Sequence, residues 1–83
     1  MNKNDLRNEL KNNGIPTDWY HLDEKGNDDM RHCIVYTNGA WNVFYSERGN
    51  RFQVKEFSTE TAACEDLLSR MMKKLQKKTT ANV

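Results

Sequence analysis

The dipeptide Asn38-Gly39 constrains this chain more than any other feature, because it separates two runs that have the composition of β-strands. Both central residues of a two-residue type I′ turn need positive φ, and Asn-Gly is the strongest short-range signal for such a hairpin. The turn also fixes the register of the two strands. It pairs Tyr36 with Trp41, Ile34 with Val43, Cys33 with Phe44, and His32 with Tyr45.

A second turn at Arg48-Gly49-Asn50 predicts a further strand over Arg51–Phe57. Its expected register puts Phe52 and Val54 on the same face as Val43. This face is the richer in apolar side chains, so we expect a helix to cover it and the opposite face to stay open. The predicted members of the open face are Cys33, Val35, Asn42, Phe44, Ser46, Arg51, Gln53 and Lys55.

Helical patterns flank the strands on both sides. Asn4 is placed to cap a first helix over residues 4–13, which Gly14 ends. Ser58 is placed to cap a last helix, whose apolar positions recur every three or four residues. These positions are Ala63, Cys64, Leu67, Leu68, Met71 and Leu75.

The predicted order is a helix, three or four strands and a helix, with Trp19–Leu22 as the candidate extra strand. Strands joined by tight turns form an antiparallel meander. Helices that cover one face of such a sheet make a two-layer α+β sandwich. Since 83 residues allow one domain, we expect a single unit over residues 1–78 and a frayed tail at 79–83.

Charge is distributed unevenly along the chain. The sequence has 13 basic and 12 acidic side chains, but residues 1–70 hold nine basic against all 12 acidic ones, a difference of −3. Within them, residues 18–29 carry five acids and one lysine. Four lysines follow at the end of the chain. We interpret them as the solvated end of a helix, where they complement the negative end of its dipole. A nucleic-acid patch is the alternative, but residues 71–83 contain no aromatic side chain.

Catalytic chemistry is not indicated, and we expect neither an enzyme nor a cofactor. His32 and Cys33 are neighbours in one strand, so their side chains point to opposite faces and cannot form a nucleophile-base pair. The acidic stretch 23–29 lacks the ligand alternation and closing glutamate of an EF-hand, so no metal site is predicted. Cys33 and Cys64 lie in different predicted elements, and we expect two reduced, buried thiols. With no apolar span and no leader pattern, the chain is expected to be soluble and cytoplasmic.

A binding module is the remaining interpretation. An acidic segment with an aromatic anchor suits a basic protein surface, because opposite charges steer association and an aromatic supplies the buried contact. The candidate residues are the anchors Trp19 and Tyr20 and the acids Asp23, Glu24, Asp28 and Asp29. The open sheet face around Val35 and Phe44 and the polar turn at residues 47–50 are further candidates.

Two segments resemble small bacterial immunity proteins of polymorphic-toxin and contact-dependent growth-inhibition systems. In that family a W-x-V-x-Y strand leads into E-R-G, as in Trp41–Gly49 here, and a helix opens as F-x-T-E-x-x-A-C, as from Phe57 to Cys64. The resemblance covers about residues 30–72. It implies a protein that binds a cognate toxin domain in the cytoplasm and neutralises it by blocking its active site or substrate surface.

The resemblance adds Glu47 and Arg48 to the candidate toxin-binding residues, because the rest of the shared pattern is explained by folding. Toxins of these systems are often nucleases, and the acidic body would complement a basic nuclease cleft. The main rival is a nucleic-acid binder, since double-stranded-RNA-binding domains share the element order. Their second helix begins with basic residues, whereas the one here begins with Glu60, so nucleic acid is an unlikely partner. A small phage-type regulator is the third class that the sequence leaves open.

Overall fold

A computed structural model describes residues 1–22 and 29–80, with side chains through residue 77. The predicted α+β class and the order helix, strands, helix are confirmed, with four strands. Among the described residues, no helix combines the length and apolarity that would let it cross a membrane. The elements are α1 (Lys3–Asn12), a 3₁₀ turn (Thr17–Trp19), β1 (Tyr20–Leu22), β2 (Arg31–Thr37), β3 (Ala40–Glu47), β4 (Asn50–Phe57) and α2 (Glu60–Thr80).

The central hairpin has the predicted register. β2 and β3 are antiparallel, with Tyr36 opposite Trp41 and His32 opposite Tyr45. Asn38 and Gly39 both have positive φ, 52° and 78°, which is the type I′ geometry that two-residue turns require. The dipeptide therefore sets the pairing of the two central strands.

The first strand departs from the expected antiparallel meander. β1 pairs with β2 in parallel, with Tyr20 opposite His32 and Leu22 opposite Ile34, so the four-stranded sheet is mixed. β1 and β2 therefore begin at the same end of the sheet, and since a two-residue turn joins only antiparallel strands, no tight turn sets this pairing.

A bulge in β4 corrects the predicted faces of that strand. Tyr45 pairs with Phe52 as expected, but Val43 pairs with Lys55, so two residues of β4 stand opposite one residue of β3. The change begins at Gln53, which has a φ of 53°. The expected positions of Val54 and Lys55 are therefore wrong: Lys55 shares the side of Val43, and Val54 is 52% exposed.

The predicted core face is confirmed at its centre. Ile34 and Val43 are fully buried beneath both helices. The opposite face is not open as expected, because Phe44 is 1% exposed and Cys33 is buried beside it. The guanidinium of Arg51 lies 4.2 Å from the centre of the Phe44 ring. The buried cluster consists of Leu6, Leu10, Ile15, Tyr20, Leu22, Ile34, Val43, Ala63, Cys64, Leu67 and Met71.

Both helices begin with a cap other than the predicted one. At α1 the cap is Asn2 instead of Asn4: the Asp5 N–H donates to Asn2 Oδ1 at 2.9 Å, and the Asn2 N–H donates to Asp5 Oδ2 at 3.1 Å. At α2 the Thr59 hydroxyl, and not Ser58, accepts the Ala62 N–H at 3.2 Å. The far end of α2 continues through Thr80, two residues beyond the predicted end.

The reciprocal cap at α1 gives a direct test of this assignment. The variant Asn2→Ala should lower the free energy of unfolding by about 1 kcal/mol, because it leaves helix N–H groups without an acceptor. Asn4→Ala is the matched control and should have almost no effect, since Asn4 is exposed inside the first turn. Urea denaturation of both variants measures the difference, and equal losses would contradict the assignment.

Candidate binding surfaces at one end of the sheet

One end of the sheet gathers the starts of β1, β2 and β4 and the end of β3. Several residues proposed for binding therefore come together, although they are far apart in the sequence. Trp19 precedes β1, and Asp29 and Met30 precede β2. Glu47 ends β3, and Arg48 follows it in the turn. We call Asp29, Met30, Glu47 and Arg48 the tip surface.

Asp29 is attached to the β3–β4 turn by its side chain. Its carboxylate oxygen Oδ1 accepts the backbone N–H of Arg48 at 2.6 Å. Arg48 and Gly49 have φ values of 52° and 80°, so this turn is also of the type I′ form. The side chain of Arg48 is exposed and that of Glu47 is half-buried. The hydrogen bond thus fixes the described end of the acidic segment beside the E-R-G motif.

Negative charge at the tip affects the neighbouring ring of Tyr45. The pKa of Tyr45 is raised, first by desolvation and then by the charges of Glu47 and Asp29. Both carboxylates therefore act on the same phenol from the tip side. The tip surface thus combines two carboxylates with one exposed cation, Arg48.

Apolar surface accompanies these charges. Met30 is 59% exposed, and Phe52 on β4 is 46% exposed. Large exposed apolar side chains beside charged groups are typical of protein interaction sites. Met30 also has a φ of 58°, an uncommon conformation for a residue other than glycine. Sequence reasoning did not single out Met30, because its exposure follows from this turn geometry.

The two predicted aromatic anchors have different environments. Tyr20 is 6% exposed and belongs to the core, so it is not available as an anchor. Trp19 is half-buried against the core, and the ammonium of Lys74 lies 4.4 Å from the centre of its ring. The candidates Asp23, Glu24 and Asp28 lie outside the described residues.

A second feature, which sequence reasoning missed, is a groove of about 540 Å³ between α2 and the sheet. Five of its lining side chains are cationic and one is a carboxylate. The helical spacing of Arg70, Lys73, Lys74 and Lys77 was a signal in the sequence, but Lys55 reaches this side only because of the bulge. We call it the basic groove; its lining residues are His32, Gln53, Lys55, Asp66, Ser69, Arg70, Lys73, Lys74 and Lys77.

Arg70 connects the groove to the bulge. Its Nη2 donates to the backbone oxygen of Gln53 at 2.7 Å, and its Nε lies 2.9 Å from Asp66 Oδ2. Asp66 is thereby neutralised locally, so the remaining charge of the groove comes from its lysines. The arrangement stabilises the bulge and leaves a positive potential above it.

His32 forms part of the groove floor. Burial, followed by the charges of Lys74 and Arg70, lowers the pKa of His32 from 6.5 to about 4. Among the described residues, its buried Nδ1 has no hydrogen-bond partner, nor does Nη1 of Arg70. His32 is therefore neutral at neutral pH and is poorly placed to act as a base.

An aromatic row leads from the groove to the surface. The rings of His32 and Tyr45 lie 4.9 Å apart, and those of Tyr45 and Phe52 lie 6.5 Å apart. These distances fall within the range of favourable aromatic pairs. The row thus runs across three strands, from His32 in the groove on β2 to the exposed Phe52 on β4.

Metal binding has no support in the part of the chain that the structure describes, where no three potential ligands cluster. Cys33 and Cys64 are buried free thiols, as predicted. Burial and the nearby charge of Glu60 raise the pKa of Cys64 to about 11, so this thiol is not a nucleophile at neutral pH.

Comparisons with protein-family models, with curated proteins and with solved structures find no match to this chain. The arguments about its function therefore depend on the two surfaces themselves and on the resemblance of its motifs.

The environment of His32 predicts an acid-sensitive fold. Because its pKa is about 4 in the folded state and 6.5 when unfolded, protons bind the unfolded chain more tightly. The contribution of His32 to the free energy of unfolding is complete above pH 6.5 and declines as the pH falls towards 4. At 1.36 kcal/mol per pKa unit, the loss between pH 7.5 and pH 5 is about 2 kcal/mol.

Urea denaturation at these two pH values, on the protein and on His32→Gln, measures this contribution. The variant should show a smaller loss of stability, by about 2 kcal/mol, because glutamine does not titrate. An unchanged pH dependence in His32→Gln would show that other groups cause the acid sensitivity.

Proposed function

We propose that this protein is an immunity protein, which binds a cognate bacterial toxin domain in the cytoplasm and occludes its active-site or substrate surface. The observation that carries the proposal is the tip surface. It joins the two motif residues that folding leaves unexplained, Glu47 and Arg48, with the end of the acidic segment through the Asp29–Arg48 hydrogen bond. In this proposal the protein inhibits by binding and performs no chemistry of its own.

The charge of the tip surface supports a basic partner. Nuclease domains hold phosphate groups in positively charged clefts, so a negative surface is attracted to them over several ångströms. Asp29 and Glu47 supply that charge next to each other, and Asp23, Glu24 and Asp28 extend the same acidic segment in sequence. The cognate toxin is therefore proposed to be a nuclease with a basic cleft.

Exposed apolar groups beside the tip would supply the buried part of the contact. Met30 is adjacent to Asp29 and largely exposed, and part of Trp19 is accessible at the same end of the sheet. Anchors of this kind usually dominate the binding energy, while surrounding charges set the rate and the specificity. Tyr20, which is buried in the core, has no part in this proposal.

Substitution of the two tip carboxylates tests the site. In Asp29→Asn/Glu47→Gln the amide of residue 29 can still accept the Arg48 N–H, so the turn is retained while two charges are removed. The association rate with the toxin domain should fall about tenfold at low salt, and its salt dependence should flatten.

The matched control is Glu9→Gln/Glu56→Gln, which removes two carboxylates away from the tip surface. Stopped-flow association at several salt concentrations compares the pairs, and equal effects would reject the tip surface as the site. The triple variant of Asp23, Glu24 and Asp28 to amides measures what the rest of the acidic segment contributes.

The partner itself can be recovered by immobilising the purified protein and exposing it to a lysate of the source cells, with and without nuclease treatment. A basic protein retained after the treatment, whose toxicity this chain suppresses on co-expression, is the expected result. Retention of nucleic acid alone would contradict the immunity proposal.

A further inference from the structure

We propose that the basic groove binds the phosphate backbone of a single-stranded nucleic acid, with the aromatic row as a stacking surface for its bases. This site uses different charged residues from those of the tip surface and does not depend on the proposed toxin binding. Its support is the combination of a positive groove with an aromatic row whose outer ring, Phe52, is exposed, since single-strand-binding proteins share a basic groove and aromatic stacking surfaces.

The cations of the groove are arranged in a line. Arg70, Lys73, Lys74 and Lys77 follow one face of α2, and the stretch from the first to the last is about 10 Å long at 1.5 Å per residue. Lys55 faces them from β4, on the side to which the bulge brings it. A linear array of this length suits successive phosphates of one strand better than a single small anion.

The cations differ in how firmly they are held. Arg70 is fixed by Gln53 and Asp66, whereas the side chain of Lys73 is exposed. Lysine ammonium groups on flexible stems contact phosphates as point charges and impose little sequence preference. The groove therefore fits a backbone that is recognised for its charge, and not for a particular base.

Aromatic rings extend from the floor of this groove. His32 lines it, Tyr45 packs against His32, and Phe52 at the end of the row is 46% exposed. Stacking on such rings requires unpaired bases, which a duplex does not offer. An acidic peptide could use the lysines but has no equivalent use for the row, so the observations favour a single strand. In this arrangement the bases lie over the sheet at Phe52, and the phosphates lie along the cations of α2.

The test is fluorescence anisotropy of the full chain with a labelled single-stranded RNA of about 12 nucleotides, a size within the range of known single-strand sites. The groove variant is Lys73→Gln/Lys77→Gln, and the matched control is Lys3→Gln/Lys11→Gln, which removes two lysines from α1. The slope of log affinity against log salt should fall by about 1.4 in the groove variant, at about 0.7 per phosphate contact, and should be unchanged in the control.

Phe52→Ser and Val54→Ser form a second matched pair, since both residues are exposed and apolar but lie on opposite faces of β4. Phe52→Ser should weaken RNA binding at least about fivefold, the lower range for one stacked base, and Val54→Ser should leave it unchanged.

Several results would overturn the proposal: no binding of the RNA up to about 100 µM, the weak limit of non-specific affinity, or equal salt slopes in the two lysine variants. Tighter binding of a duplex, or of an acidic peptide of equal charge, would also reject it. No toxin is present in this assay, so its failure leaves the tip surface, tested at Asp29 and Glu47, unaffected.

Discussion

The contact between Arg70 and the bulge of β4 determines much of the surface of this protein. The bulge interrupts the regular pairing of β3 and β4 at Gln53. The guanidinium of Arg70 donates a hydrogen bond to the Gln53 carbonyl at 2.7 Å. Asp66, one turn earlier in α2, holds the same guanidinium at 2.9 Å, so the contact from helix to strand is oriented from within the helix. Compared with a regular strand, every side chain of β4 after the bulge lies on the opposite face of the sheet. Lys55 therefore lies in the groove, and Val54 is exposed to solvent.

The same contact explains why charge is separated over a short distance. Asp66 is the one carboxylate among the groove-lining residues, and it pairs with Arg70, so four lysines and one Asp66–Arg70 pair line the groove. On the other side of the aromatic row, Asp29 is bound to the Arg48 backbone and Glu47 lies beside it. The small formal charge of +1 therefore coexists with a groove lined by five cations and a tip that carries two carboxylates.

The sequence predicted those parts of the fold that depend on residues close together in the chain. Asn38-Gly39 specified the β2–β3 register, because only residues tolerant of positive φ suit that turn. The spacing of Cys64, Leu67 and Met71 specified the buried face of α2. The parallel pairing of β1 was not predictable in this way, since it depends on a contact between distant segments and not on a turn.

The bulge in β4 was also not predictable from the sequence, because it too depends on a contact between distant residues. A β-bulge at a left-handed residue is usually signalled by glycine, whereas Gln53 occupies it here with a φ of 53°. An arginine 17 residues away in sequence supplies the stabilising hydrogen bond. The basic groove therefore could not be predicted, although the lysine spacing on α2 could be seen, because its opposite wall requires that distant contact. The tip surface was more accessible to prediction, since Glu47 and Arg48 stood out as residues without a structural role.

The position of the aromatic row has consequences for any ligand of either surface. Tyr45 contacts His32 on the groove side and senses Glu47 and Asp29 on the tip side, so both surfaces act on the same ring. A cationic partner at the tip would reduce the negative potential that repels phosphates from Tyr45. A polyanion in the groove would likewise reduce the positive potential that opposes a basic partner. Because coupling between two binding sites is reciprocal, each ligand would favour the other unless their volumes overlap at Phe52. The two proposed ligands would therefore meet at one exposed ring, Phe52, and the space around that ring would limit their joint occupancy.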